Sequence, residues 1–133
     1  MGHCYGEGDL AVIERRVDEW LSGFRSANPD VVADVQRGEP SERRWYVRMR
    51  GVEKEFTTVW LTLGQRTLRY ETYVMPAPEE NHAAFYEHLL RRNEKLVGAH
   101  FSIGVEDAVF LRGEVALSQL SQDEMDRNLG SDR

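Results

Sequence analysis

Apolar residues in the first 26 positions recur at steps of three and four. The positions are Leu10, Ile13, Val17, Trp20, Leu21 and Phe24. This spacing predicts an amphipathic helix from about Asp9, which serves as its N-cap, to Ser26. The sequence Asn28-Pro29-Asp30 ends the helix, because a residue that precedes proline avoids helical backbone. We expect Trp20 to be a core residue, since it continues the apolar stripe.

Four strands are predicted between residues 31 and 75. They are Val31 to Gln36, Arg43 to Arg50, Glu55 to Leu63 and Thr67 to Met75. Alternating apolar positions and many β-branched or aromatic residues favour strand structure in these runs. The breaks at Gly51 and Gly64-Gln65 are short enough for hairpins. The pattern therefore predicts an antiparallel meander.

A second helix and a hairpin are predicted after the proline-rich crossover Met75-Pro76-Ala77-Pro78. The helix has Pro78 in its first turn, ends near Gly98 and directs four side chains to the core. These are Ala84, Phe85, Leu89 and Leu96. Two short strands follow, His100 to Val105 and Ala108 to Leu111, joined by a turn at Glu106-Asp107.

A last, short helix is predicted from Ser121-Gln122-Asp123-Glu124, which fits a capping box. The complete order is α-β-β-β-β-α-β-β-α. It predicts an α+β fold in which helices flank an antiparallel sheet.

Composition favours one small cytoplasmic domain. With 133 residues the chain has room for a single core, so we expect one domain over 1–133, with 1–9 as a flexible tail. Cys4 is the single cysteine, which excludes an internal disulfide and suggests a reducing compartment. The net charge of -6 disfavours nucleic acid and anionic membrane surfaces as partners. Residues 43–75 nevertheless carry seven Arg and Lys against three Glu.

The element order and three segments resemble the YbjN family, which has a type III secretion chaperone-like domain. The segments are Leu89-Leu90-Arg91-Arg92-Asn93, the hairpin Phe101 to Leu111, and the tail Leu117 to Leu129 with Glu124-Met125-Asp126-Arg127 near its end. The resemblance covers roughly Leu10 to Leu129. It implies a protein that is commonly dimeric. It also implies that the protein holds partner segments, as the secretion chaperones do, or acts in stress response and regulation. The family supplies no catalytic motif.

The residues themselves contain no convincing catalytic or metal-binding constellation. His82 and His88 are six apart, so they do not share a helix face as a zinc pair four apart would. The carboxylate pairs Glu79-Glu80 and Glu106-Asp107 sit where helix capping and solvation explain them. We therefore expect no enzyme activity, no metal and no cofactor.

An arginine-bearing strand face is the best polar candidate for function. Arg44, Arg48 and Arg50 project from one side of their strand, with Tyr46 between them. They could grip a partner rich in carboxylates or phosphates. The alternative is cross-strand pairing with three glutamates. Those glutamates are Glu53, Glu55 and Glu71.

The strand Glu55 to Leu63 is apolar on both faces. Phe56 and Trp60 lie opposite the face that carries Val59 and Leu61. That second face is covered either by the same chain or by a subunit or protein partner. The leading hypothesis is a non-enzymatic homodimeric module that binds a protein partner. The alternative is a small-molecule sensor or small enzyme with a pocket between sheet and helix.

Overall fold

The computed structural model describes residues 5–51 and 55–119. Within them lie helices α1 (Glu7–Ala27) and α2 (His82–Asn93). The six strands are β1 (Val32–Arg37), β2 (Arg44–Arg50), β3 (Phe56–Leu63), β4 (Thr67–Met75), β5 (His100–Ile103) and β6 (Val109–Ala116). Short 3₁₀ turns span Val105–Asp107 and Leu117–Gln119. The predicted α+β class is confirmed and these elements follow the predicted order, while the last predicted helix lies outside the described residues.

The strands form one antiparallel sheet in the order β1-β2-β3-β4-β6-β5. The predicted meander is confirmed as β1 to β4. Strand β6 runs eight residues to Ala116, well past the predicted end at Leu111, because it pairs with β4 as well as β5. Both β5 and β1 are therefore edge strands.

Helix α1 packs on one face of the sheet and forms the core with it. Its buried residues are Leu10, Ile13, Val17, Trp20 and Leu21. They join side chains of alternate strand positions, among them Trp45, Val47, Val59, Leu61, Leu68 and Tyr70, in one cluster. The expected core position of Trp20 is confirmed, and its ring stacks on Phe24 with 5.1 Å between centroids.

The start of α1 differs from the prediction. Gly6, not Asp9, is the N-cap, and the helix begins at Glu7. Just before it, the Tyr5 N–H donates to the Gln65 carbonyl at 2.9 Å, and the Tyr5 side chain packs against the core. The described part of the predicted tail is therefore attached to the sheet.

Helix α2 does not supply the core residues expected of it. It begins at His82, after Pro78, and ends at Asn93. No α2 residue is fully buried: Ala84 is exposed, while Phe85 and Leu89 are half-buried. The Asn93 side chain accepts from the Phe101 N–H at 2.6 Å and donates to the Phe101 carbonyl at 3.3 Å. The helix is thus held to the edge strand β5, where an apolar stripe can be shielded without entering the core.

Gly113 lies where the backbone of the segment before β5 passes close to β6. A Cβ on Gly113 would overlap the Gly98 carbonyl oxygen and the ring of Tyr70. The Tyr70 hydroxyl donates to the same Gly98 carbonyl. Only a residue without a side chain fits beneath this crossing of β6, Tyr70 and the segment before β5.

An ion-pair network ties α1 to the strand ends. Glu14 accepts from Arg37 at 2.6 Å and from Arg43 at 3.0 Å. Arg43 also contacts Glu7 at 2.7 Å, and it turns toward α1 from a left-handed backbone position with φ 45°. The hydrogen bond from Arg37 lowers the pKa of Glu14 below its ordinary value; partial burial opposes this, and the bond from Arg43 adds to the lowering.

We expect Glu14→Gln to destabilise the protein by about 1 kcal/mol at pH 7. Because the folded-state pKa is depressed, the ionised carboxylate stabilises the fold above its unfolded-state pKa of about 4.3. That contribution disappears as pH falls through the folded-state value. Urea denaturation at pH 7 and about pH 3 should therefore show a difference from the native protein that shrinks in acid. Glu19→Gln, an exposed neighbour on α1, is the control; an equal effect of the two changes at pH 7 would contradict the bridging role.

Candidate functional site

The side of the sheet opposite α1 carries a mixture of aromatic and charged side chains, which we call the open face. Strand alternation and register place its members together. They are Arg44, Tyr46, Arg48 and Arg50 of β2; Phe56, Thr58, Trp60 and Thr62 of β3; Thr67, Arg69, Glu71 and Tyr73 of β4; Phe110, Arg112 and Glu114 of β6; and His100 and Ser102 of β5. Of these side chains only Phe110 is buried.

All six residues predicted to bind a partner lie on the open face. Arg50 pairs with Phe56, and Tyr46 with Trp60, directly across β2 and β3. The structure places them together, and their binding role stays a prediction. Arg43, the residue just before β2, lies instead in the α1 network.

The Arg48–Phe56 pair is the most exposed part of this surface. The Arg48 guanidinium lies over the Phe56 ring, 4.0 Å from its centroid, and 49% of Phe56 is exposed. Arg48 forms no ion pair with any carboxylate in residues 5–51 or 55–119. Its stacked guanidinium therefore keeps its hydrogen-bond donors for another group.

The predicted pairing of the arginines with glutamates takes a different form. Glu71 pairs with Arg112 at 3.4 Å, and Arg44 pairs with Glu42 at 3.3 Å. Arg50 donates to the Pro29 carbonyl at 2.8 Å. Glu55 pairs with none of them within the described part of the chain, and Glu53 lies outside it. Arg44 and Arg50 thus each have a polar partner, whereas the contact of Arg48 within the described part of the chain is with the Phe56 ring.

An aromatic cluster links the two halves of the open face. Phe110 is only 4% exposed and its centroid lies 6.1 Å from that of Trp60 and 5.8 Å from that of Tyr73. The Arg112 guanidinium lies 4.7 Å from the Phe110 centroid. A Cβ on Gly104 would come within 2.5 Å of the Phe110 ring, so the glycine lets the backbone pass over it. The Trp60 ring packs against this cluster and is half-buried, so it is not part of the core beneath α1.

Sequence reasoning missed Phe110 and Arg112 as parts of this face. The alternation Phe110, Arg112, Glu114 opposite Leu111, Gly113 and Val115 carried the signal. The predicted strand ended at Leu111, so it contained Phe110 but neither Arg112 nor Glu114 and was too short to show the alternation.

A cleft of about 410 Å³ opens beside the aromatic cluster. Its lining residues are Arg69, Glu71, His100, Arg112, Gly113 and Glu114. The six residues come from the three adjacent strands β4, β6 and β5, and the four charged ones lie on β4 and β6. The cleft is therefore a polar depression in the open face rather than a pocket between sheet and helix.

Neither a metal cluster nor a membrane span stands out in the described residues. Over 5–51 and 55–119, no three His, Cys, Asp or Glu side chains are grouped to hold a metal ion. No helix in that part of the chain has both the length and the apolarity to cross a membrane.

Comparison with curated proteins finds mycobacterial relatives. The "Uncharacterized protein Rv0487" of Mycobacterium tuberculosis is 36% identical over 84 residues, which are 63% of this chain and 46% of that protein. "Uncharacterized protein ML2442" of Mycobacterium leprae is 31% identical over 87 residues, covering 65% of this chain and 47% of the relative. The matches thus span about half the length of these relatives.

Comparison with protein families matches residues 16–131 to YbjN, described as "Putative bacterial sensory transduction regulator". The match includes all six strands and α2. The chain belongs to the YbjN family.

Proposed function

We propose that this protein is a non-enzymatic regulatory module that binds a partner polypeptide on its open face and acts as a homodimer. The contact residues would be Arg44, Tyr46, Arg48, Arg50, Phe56 and Trp60. The observation that carries the proposal is the exposed Phe56 ring beneath Arg48, beside the Tyr46–Trp60 pair. The family's description as a sensory transduction regulator supports a regulatory role.

The chemistry of the partner follows from the spacing of the arginines. Arg44, Arg48 and Arg50 project from the same side of β2. Strand positions two apart are separated by about 7 Å, so the distances between these arginines along the strand are multiples of that interval. An extended peptide with carboxylates at alternate positions repeats the same interval. Phe56 and Trp60 on the next strand offer an apolar anchor for its intervening side chains. The proposed partner is therefore an acidic, extended segment with apolar side chains.

We expect a labelled extended peptide with alternating Glu and Leu to bind more tightly than its Gln-for-Glu counterpart, because Arg48 offers donors to carboxylates. Fluorescence anisotropy measures both affinities. Arg48→Gln should weaken the acidic peptide about tenfold, a loss of roughly 1.4 kcal/mol. Arg15→Gln removes a charge from an exposed position on α1 and should leave the affinity unchanged.

Equal binding of the Glu and Gln peptides, or equal effects of Arg48→Gln and Arg15→Gln, would contradict the proposal. The homodimer is tested separately, by sedimentation at about 50 μM, above the micromolar range of many specific pairs. A monomer at that concentration would contradict the dimer and leave the peptide result to decide partner binding.

The 410 Å³ cleft favours a second candidate function, the binding of a small molecule. Its volume falls within the range of about 300–1,000 Å³ for ligand pockets. The alternative predicted from sequence placed such a pocket between sheet and helix, whereas the cleft lies on the open face.

A further inference from the structure

The charges around the cleft alternate in sign in two directions. Arg69 lies directly opposite Glu114, and Glu71 lies directly opposite Arg112, across β4 and β6. Arg69 and Glu71 are also two positions apart on one face of β4. Each charge therefore has opposite charges as its nearest neighbours, while like charges lie on the diagonals, about 8 Å apart at ordinary strand spacing.

The ion pairs of the cleft are longer than those of the α1 network. Arg69 is 3.9 Å from Glu114, and Arg112 is 3.4 Å from Glu71. The Arg37–Glu14 pair of the α1 network is 2.6 Å. Charge-assisted hydrogen bonds have lengths of about 2.7–2.9 Å, so the cleft groups do not saturate one another. The guanidinium and carboxylate groups keep donors and acceptors for a third molecule.

The floor of the cleft is rigid on one side and adjustable on the other. Arg112 donates to the Ser102 hydroxyl at 3.0 Å and lies against the buried Phe110 ring. The Arg69 side chain, by contrast, is 61% exposed. The imidazole of His100 has no hydrogen bond or ion pair with any described residue. Because Arg112 is already held in place, the side chain that a small ligand must order is mainly that of Arg69.

We propose that this cleft binds a small zwitterion of the amino-acid class, with its carboxylate on Arg69 and its ammonium on Glu71. A pure anion would meet the repulsion of two carboxylates, and a pure cation that of two guanidinium groups. A ligand with both charges close together matches neighbouring corners of the alternating pattern. The site is distinct from the Arg48–Phe56 surface and does not depend on the protein-binding role proposed above.

The test uses free L-glutamine, L-leucine and L-glutamate as probes. Binding of each one is measured from the NMR chemical shifts of the protein's backbone amides. At least one should give saturable shifts centred on residues 112–114 and His100, with Kd below about 1 mM. For that amino acid, the N-acetyl form carries no ammonium, and the fully esterified form carries no carboxylate. Both analogues should bind at least tenfold more weakly.

Variants separate this cleft from the rest of the open face. Arg69→Gln and Glu71→Gln should each weaken the bound amino acid at least tenfold. Arg48→Gln, a charge change on the same face outside the cleft, should leave it unchanged. Because Arg69 is largely exposed, Arg69→Gln should keep the native circular dichroism spectrum and so provides the result even where Glu71→Gln does not fold.

Several results would overturn the proposal. They are the absence of saturable shifts for all three amino acids at about 10 mM, binding of either analogue as tightly as the parent amino acid, and an equal loss of affinity in Arg48→Gln. A failure here leaves the acidic-peptide result intact, because that experiment depends on Arg48 and Phe56.

Discussion

Gly113→Ala should destabilise the protein by about 1–3 kcal/mol or more, because the added methyl group overpacks a crossing that has no space. The new Cβ would overlap the Gly98 carbonyl oxygen and the Tyr70 ring together. The carbonyl belongs to the backbone, so relief requires the segment before β5 to shift. The free energy of unfolding, measured by urea denaturation, checks the expectation.

Gly64→Ala is the matched control for this change. A Cβ on Gly64 would lie 3.5 Å from the Thr67 carbonyl oxygen, which is ordinary van der Waals contact. We expect a small effect there, within about 0.5 kcal/mol. Similar stabilities of Gly113→Ala and Gly64→Ala would contradict this expectation. They would show that the backbone at Gly98 can shift to accommodate the added methyl group despite the hydrogen bond from Tyr70.

Trp45→Ala should cost about 3–5 kcal/mol, the largest loss expected from a single side chain of this protein. Trp45 is 1% exposed and is the largest fully buried side chain in residues 5–51 and 55–119. Its indole N–H donates to Asp18 at 2.7 Å, and the Arg37 guanidinium lies 4.7 Å from its ring. Truncation leaves a cavity and also removes the link between the core and the α1 network. The loss is a large part of the stability of about 5–15 kcal/mol of a typical domain.

Trp60→Ala provides the comparison, since Trp60 lies on the neighbouring strand but on the open face. It should weaken folding much less than Trp45→Ala while reducing peptide binding. Trp45→Phe separates the two contributions at Trp45, because it keeps most of the buried ring but removes the hydrogen bond to Asp18. Equal denaturation midpoints for Trp45→Ala and Trp60→Ala would contradict the placement of Trp45 in the core and of Trp60 on the open face.

The strands and their faces could be predicted because their side chains alternate. Trp45, Val47, Leu61 and Tyr70 recur with the period of two that places them beneath α1. The same period places Arg48 and Phe56 on the other side. Local pattern alone suffices here, since hairpin neighbours along the chain are also neighbours in the sheet.

The position of β6 and the environment of α2 could not be predicted in the same way. The pairing of β4 with β6 joins residues about 40 positions apart. The alternation within either strand does not identify which other strand it pairs with. The apolar stripe of α2 predicts a surface to cover but does not say whether that surface is a sheet face or a sheet edge. The cleft depends on the first of these features, because its four charges meet only when β6 pairs with β4.

The hydrogen bonds between Asn93 and Phe101 also bear on how the sheet can grow. An uncovered edge strand is a template for strands of other chains, and at Phe101 that template is already occupied by a side-chain amide. A further strand can pair there only after the end of α2 detaches. Pairing of β5 with a strand of another chain therefore requires local unfolding first. The last turn of α2 thus protects this edge of the sheet against intermolecular strand addition.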